Sequence, residues 1–203
     1  QNDDSRTSVL LLNTGGLIPN DPISFVDPKT SEPNDYTVTI IGKEAFLGKD
    51  LTNLERLPES IEMIEESAFK NCKLSKLKSL PSNLKKIGKY AFSGNNLVTL
   101  ELPSSLTTIE DGAFKDNRML VSITMKENLE TIGADAFNGC TSLEKLELPK
   151  SLMSIGDYAF SKNSKLESLT IPDGLNKIGA YAFNECTSLK ELKLPESLRT
   201  ITT

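Results

Sequence analysis

Apolar residues recur along this chain with a period close to 23. An Ala-Phe pair ends at Phe46, Phe69, Phe92, Phe114, Phe137, Phe160 and Phe183, with spacings of 23, 23, 22, 23, 23 and 23. An isoleucine stands five residues before each phenylalanine, at Ile41, Ile64, Ile87, Ile109, Ile132, Ile155 and Ile178, and Ile201 opens one more unit. Self-similarity at a fixed period of this length is the signature of stacked repeats. The later units share the line L-x-x-L-x-[LI]-P-x-x-L-x-x-I-G-x-x-A-F. In the fifth these positions are Leu143, Leu146, Leu148, Pro149, Leu152, Ile155, Gly156, Ala159 and Phe160.

The pattern predicts the elements of each unit. Leu146 to Leu148 alternates apolar and polar, as a half-buried strand does, and Pro149 ends it because proline has no N–H for a ladder. Leu152 and Ile155, three apart, predict a second short strand on the return side. Ile-Gly-x-x-Ala-Phe predicts a tight turn or one turn of 3-10 helix. A unit this short cannot bury its own apolar face, so units stack in register and each apolar position becomes a column. The expected fold is therefore a repeat solenoid with a stacked phenylalanine spine, and the alanine column stays small where backbone passes close. With parallel strands about 4.8 Å apart, seven coils make a rod on the order of 35 Å long.

The departures are informative. The first two units read L-x-x-L-x-x-L-P, at Leu51, Leu54, Leu57, Pro58 and at Leu74, Leu77, Leu80, Pro81. A one-residue shift turns a strand's side chains over, so a bulge or altered strand is expected there. In the fourth unit Met125 and Lys126 replace Leu and Pro. Residues 1–35 do not fit the repeat and hold Pro19, Pro22, Pro28 and Pro33. They are expected to form an N-terminal capping segment, with Val9 to Leu12 pairing against the first coil. Residues 36–203 then form the solenoid of seven 22–23-residue repeats. Ile201-Thr202-Thr203 opens another unit with no polar cap written, so further chain or a packing partner is expected at that end.

Composition narrows the chemistry. The chain of 203 residues has no histidine, which removes the commonest general base and metal ligand and excludes triads built on His. No phosphate loop, calcium loop or Cys-x-x-Cys appears. The expectation is no enzyme, no cofactor and no metal. A net charge of -5 with lysines and acids interleaved argues against nucleic acid as partner. No apolar run is long enough to span a membrane.

The L-x-x-L-x-L core, joined to L-P-x-x-L-x-x-I-G-x-x-A-F with Cys or Asn in the turn, resembles the BspA-like leucine-rich-repeat family over about residues 38 to 201. The resemblance implies a right-handed superhelix with one parallel sheet on the concave face and short strands or 3-10 turns on the convex side. It also implies a secreted or cell-surface bacterial protein, and some relatives are adhesins for host molecules. It supplies no catalytic motif. The expected function is a non-catalytic protein- or glycan-binding module; the alternative is a structural spacer with no ligand of its own.

Three sets of residues are candidates. Cys72, Cys140 and Cys186 fall three residues after the column phenylalanine, where other units have Lys49, Asn95, Asn117 and Asn163. Cys140 and Cys186, two coils apart, are about 10 Å from each other, beyond the reach of about 7 Å that a disulfide allows. The column is expected to satisfy turn backbone. Glu101, Thr124, Glu147, Thr170 and Lys193 should point outward from the concave sheet as a possible partner face. Tyr90, Tyr158 and Tyr181 stand two residues before the phenylalanine and could form an aromatic patch. Glu65-Glu66 and Glu110-Asp111 are expected to be solvated turn residues.

Overall fold

A computed structural model describes residues 38–202 and the backbone of two strands upstream of them. The elements are β1 (Ser24–Val26), β2 (Pro33–Asp35), β3 (Ile40–Ile41), β4 (Met63–Ile64), β5 (Lys86–Ile87), β6 (Thr99–Glu101) and β7 (Thr108–Ile109). They continue with β8 (Ser122–Thr124), β9 (Thr131–Ile132), β10 (Lys145–Glu147), β11 (Ser154–Ile155), β12 (Ser168–Thr170), β13 (Lys177–Ile178) and β14 (Thr200–Ile201). No helix forms among the described residues. β1 and β2 pair antiparallel, Phe25 opposite Asn34. The run Val9 to Leu12 and its expected pairing lie outside the described residues.

The coils stack in parallel as a β-solenoid of seven turns, and the isoleucine column carries the unbroken ladder. β3, β4, β5, β7, β9, β11, β13 and β14 form one eight-stranded sheet in that order. Ile41 lies opposite Ile64, Ile64 opposite Ile87, and so on to Ile178 opposite Ile201. Each coil contributes only two residues, the branched isoleucine inward and its neighbour outward. The L-x-L strands are less continuous. They pair as β6 with β8 and β10 with β12, Leu100 opposite Ile123 and Leu146 opposite Leu169. The first two coils form no such strand beyond a single bridge, Ser79 to Glu101. Their leucines recur every third residue, and Leu51, Leu54, Leu57, Leu74, Leu77 and Leu80 are all buried. A strand alternates faces every residue and could not bury all three, so the altered strand expected there is found.

The turns are not 3-10 helix. Two columns of the turn adopt a left-handed backbone in every coil. One lies two residues before the phenylalanine (Glu44, Ser67, Tyr90, Gly112, Asp135, Tyr158, Tyr181) and the other two residues after it (Gly48, Asn71, Gly94, Asp116, Gly139, Lys162, Glu185). The left-handed residues turn alternate N–H groups along the solenoid. Tyr90, Phe92 and Gly94 donate to Asp111, Ala113 and Lys115 of the next coil, while Ala91 and Ser93 donate three residues back to Gly88 and Tyr90. A 3-10 helix would direct every N–H backward and leave the coils unlinked on this side.

Inside, the seven phenylalanine rings stack with centroids 5.1 to 5.7 Å apart and planes within 11° of parallel. The alanines are small for the reason expected: Ala68, Ala91, Ala113, Ala136 and Ala159 are fully buried, and their carbonyls receive the N–H of the preceding coil's phenylalanine, as at Phe69 to Ala91, 2.8 Å. The glycine after the isoleucine is equally close to its neighbour. Gly88, Gly133, Gly156 and Gly179 each donate to the isoleucine of the previous coil at 2.8 Å. Where Glu65 and Glu110 occupy that column the same bond is 2.9 and 3.3 Å.

Candidate functional site

The cysteine column is a ladder of backbone-satisfying side chains. Asn95 Nδ2 donates to the carbonyls of Phe69 and Phe92 at 2.8 and 2.9 Å, and Asn117 Nδ2 to those of Phe92 and Phe114 at 2.9 and 2.8 Å. Asn163 Nδ2 does the same to Phe137 and Phe160. The thiols take the inter-coil half of this role: Cys72 donates to Phe46 O, Cys140 to Phe114 O and Cys186 to Phe160 O, at 2.8, 3.4 and 3.2 Å. Lys73 adds a left-handed residue to the second coil, and the N–H groups of Cys72 and Leu74 on either side converge on Asn95 Oδ1, both at 3.0 Å. All three cysteines are free. Asn163→Ala is expected to cost about 1–2 kcal/mol, because two hydrogen bonds to buried carbonyls are lost while Phe137 O keeps the Cys140 N–H at 3.4 Å and Phe160 O keeps the Cys186 thiol. Asn163→Cys should recover part of that loss, since a thiol already serves Phe114 and Phe160. Urea denaturation of both variants checks it; equal losses would dismiss the equivalence.

Burial pushes the thiols up from near 9, Cys140 to about 12 and Cys72 and Cys186 to about 11. They are therefore neutral donors and poor nucleophiles. Below pH 9 folded and unfolded chains both carry neutral thiols, and the stabilisation is complete. As pH rises toward 11 to 12 only the unfolded chain ionises, so stability falls through that window. The urea midpoint should drop between pH 8 and pH 10.5, and Cys140→Ala should make the drop smaller; an unchanged drop would contradict the assignment.

The paired turn acids are not simply solvated. Glu65 Oε2 accepts from Lys43 N at 2.8 Å and Asp111 Oδ1 from Ala134 N at 3.0 Å, with Asp157 Oδ1 repeating the cap on Ala180 N at 2.8 Å. They hold turn N–H groups of an adjacent coil, a role that adjacency in sequence does not reveal.

The outward strand positions are exposed as expected. The pairs Glu101–Thr124 and Glu147–Thr170 are adjacent in register. Glu101 is held by Lys126 at 2.6 Å, the lysine that replaces proline in the fourth unit. Lys193 lies outside any strand. The seventh coil diverges from β12 there, opening a 380 Å³ cleft between Ser168–Thr170 and Lys190, Glu191 and Lys193. The tyrosines divide. Tyr158 and Tyr181 stack at 5.0 Å and are 40% and 58% exposed. Tyr90 stands apart, its ring leaning over Gly112 of the next coil with Lys70 Nζ 5.3 Å from its centre. All three occupy the left-handed column. At the last coil Leu192, Leu194 and Ile201 are exposed and border a 290 Å³ hollow with Tyr181 and Phe183. Among the described residues no group of three or more His, Cys, Asp or Glu is placed to hold a metal ion.

The family model described as BspA type leucine rich repeat region matches in six copies, over residues 39–166 and 114–203. Among solved structures, a leucine-rich repeat protein from Bacteroides ovatus is 28% identical, with 91% of this chain and 52% of that chain covered and a TM-score of 0.72. A leucine rich cell surface protein from Faecalibacterium prausnitzii is 25% identical, with 75% and 50% covered and a TM-score of 0.53. A leucine-rich repeat protein from Eubacterium ventriosum, 22% identical with 82% and 39% covered and a TM-score of 0.51, shares the fold. This chain spans about half the length of the first two. No curated protein matches it in sequence.

Proposed function

The chain belongs to the BspA type leucine-rich-repeat family, and from that premise we propose that it is a non-catalytic binding module, displayed outside a bacterial cell, that offers a rigid solenoid edge to a protein or glycan partner. The observation that carries this reading is the Tyr158–Tyr181 stack. Two large aromatic side chains stand substantially in solvent, stacked at a turn column that other coils fill with Glu44, Ser67 and Asp135. Exposed tyrosines are favoured anchors in interfaces. The extracellular placement is supported by the Faecalibacterium prausnitzii relative, described as a cell surface protein. No helix among the described residues is long and apolar enough to cross a membrane.

Surface plasmon resonance against immobilised matrix proteins and a glycan panel tests the proposal. Saturable binding is expected, weakened about tenfold or more in Tyr158→Ala/Tyr181→Ala, the loss of one hot-spot interaction. Clean negatives across both panels would sink it. The spacer reading is favoured by one feature: the strand face is polar throughout and Glu101 is already paired with Lys126, so that face presents no anchor.

A further inference from the structure

A 670 Å³ notch opens on the turn side of the second, third and fourth coils. Its floor is the third turn, Ser93-Gly94-Asn95-Asn96, built of small residues. The flanking turns carry longer side chains at the same columns, Lys70-Asn71 on one side and Lys115-Asp116 on the other. Gly94 is left-handed and lies directly beneath the Asn71 carboxamide, so a methyl group there would collide with Asn71. The low floor is thus written into the repeat.

The notch is charged against the trend of the molecule. Lys70, Lys115 and Arg118 line it with one acid, Asp116, on a chain whose net charge is -5. Lys70 has no carboxylate partner among the described residues and rests over the Tyr90 ring. Arg118 is 75% exposed and its nearest contact to Asp116 is 3.6 Å, at the long end for an ion pair. Lys115 is steadied by Asp135 of the next coil at 3.2 Å. Lys70 is therefore without a carboxylate partner among the described residues and Arg118 is only loosely held by Asp116, so both can turn to an incoming anion.

No aliphatic side chain lines the notch, so it offers no pocket for the apolar anchors that dominate protein interfaces. What it offers is carboxamides at Asn71 and Asn96, a hydroxyl at Ser93, an aromatic ring and positive charge, in a volume ordinary for a small-ligand cleft. That set matches a polyhydroxylated ring bearing an oxyanion, whose charge-assisted hydrogen bonds would be the strong ones.

We propose that this notch binds an oxyanion-bearing saccharide, a sugar carrying a carboxylate or a sulfate. Lys70 and Arg118 take the anion, and the amides take ring hydroxyls. The proposal rests on the binding-module reading and gives it a ligand class. Isothermal titration with 3′-sialyllactose, a heparin hexasaccharide and neutral maltohexaose tests it, the first two separating carboxylate from sulfate. Saturable binding of at least one acidic sugar and none of maltohexaose is expected, weakening as salt is raised. Lys70→Ala/Arg118→Ala should weaken it about tenfold or more at an unchanged urea midpoint. Arg118→Lys should stay close to wild type, and Lys150→Ala/Lys165→Ala, at exposed lysines outside the notch, should change it less than twofold. Equal loss in the Lys150/Lys165 variant, retention in the Lys70/Arg118 variant, or no binding of either acidic sugar would overturn the notch assignment. Matrix-protein binding measured on the same preparation decides the module reading separately.

Discussion

Phe114→Ala is expected to remove about 4 kcal/mol of stability and to split one unfolding transition into two. The ring is fully buried at the middle of the spine, 5.4 Å from Phe92 and 5.2 Å from Phe137. Truncating a buried phenylalanine costs about 3–5 kcal/mol through lost burial and the cavity left behind. The coils above and below are held by the same stack and cannot close the gap without breaking their own hydrogen-bond register. In a linear array each coil meets only its neighbours, so no distant contact bypasses a weak one. The three coils on each side would then unfold with separate midpoints. Phe183, only partly buried at the last coil, should cost markedly less when cut to alanine. Urea denaturation followed by circular dichroism reads both variants; a single transition shifted by less than about 1 kcal/mol in Phe114→Ala would refute the coupling argument.

Adding one methyl group at Gly156 should be nearly as damaging. A Cβ built there lies 2.5 Å from Ala134 N and 2.6 Å from Gly133 C, both backbone atoms of the preceding coil. Nothing at that point can swing aside, so the two coils must separate and the 2.8 Å bond from Gly156 N to Ile132 O must stretch. Overpacking of this kind costs about 1–3 kcal/mol, and a backbone clash belongs at the upper end. Glu65 and Glu110 already carry a Cβ in this column, with ladder bonds of 2.9 and 3.3 Å, so the stretch expected is at most a few tenths of an ångström. Gly48→Ala is the contrast. Nothing lies within 4 Å of its Cβ position, and only the left-handed backbone resists the change, for roughly 1 kcal/mol. If Gly156→Ala proved the milder of the two on thermal denaturation, close coil approach would not be what demands glycine there.

Much of this was legible in the letters because the repeat forces residues of one column into contact. Seven phenylalanines at one spacing required a stack, and the Cys/Asn interchange in one column pointed to a common backbone-satisfying role. What stayed hidden depends on the third dimension. The period-3 leucines of the first two coils signalled an altered strand, but not that the two-residue isoleucine strands would carry the sheet alone there. The left-handed columns were obscured because Glu, Ser, Tyr, Asp, Asn and Lys share them with glycine, although no β-branched residue enters either one. The notch escaped because Lys70 and Lys115 are 45 residues apart, and only stacking shows that Ser93 lies low between them. The capping role of Glu65 and Asp111 escaped because each serves an adjacent coil, not its own.

The alternating turn bonds also have a mechanical consequence. Every link between coils on that side points along the rod, as do those of the isoleucine ladder, so a pull applied end to end loads them in line instead of shearing them. Such bonds yield one row at a time. A terminal coil would peel before its neighbours feel the load, releasing about 23 residues of slack, roughly 75 Å at full extension. Pulled end to end, the stacked coils are therefore expected to open stepwise, one coil at a time.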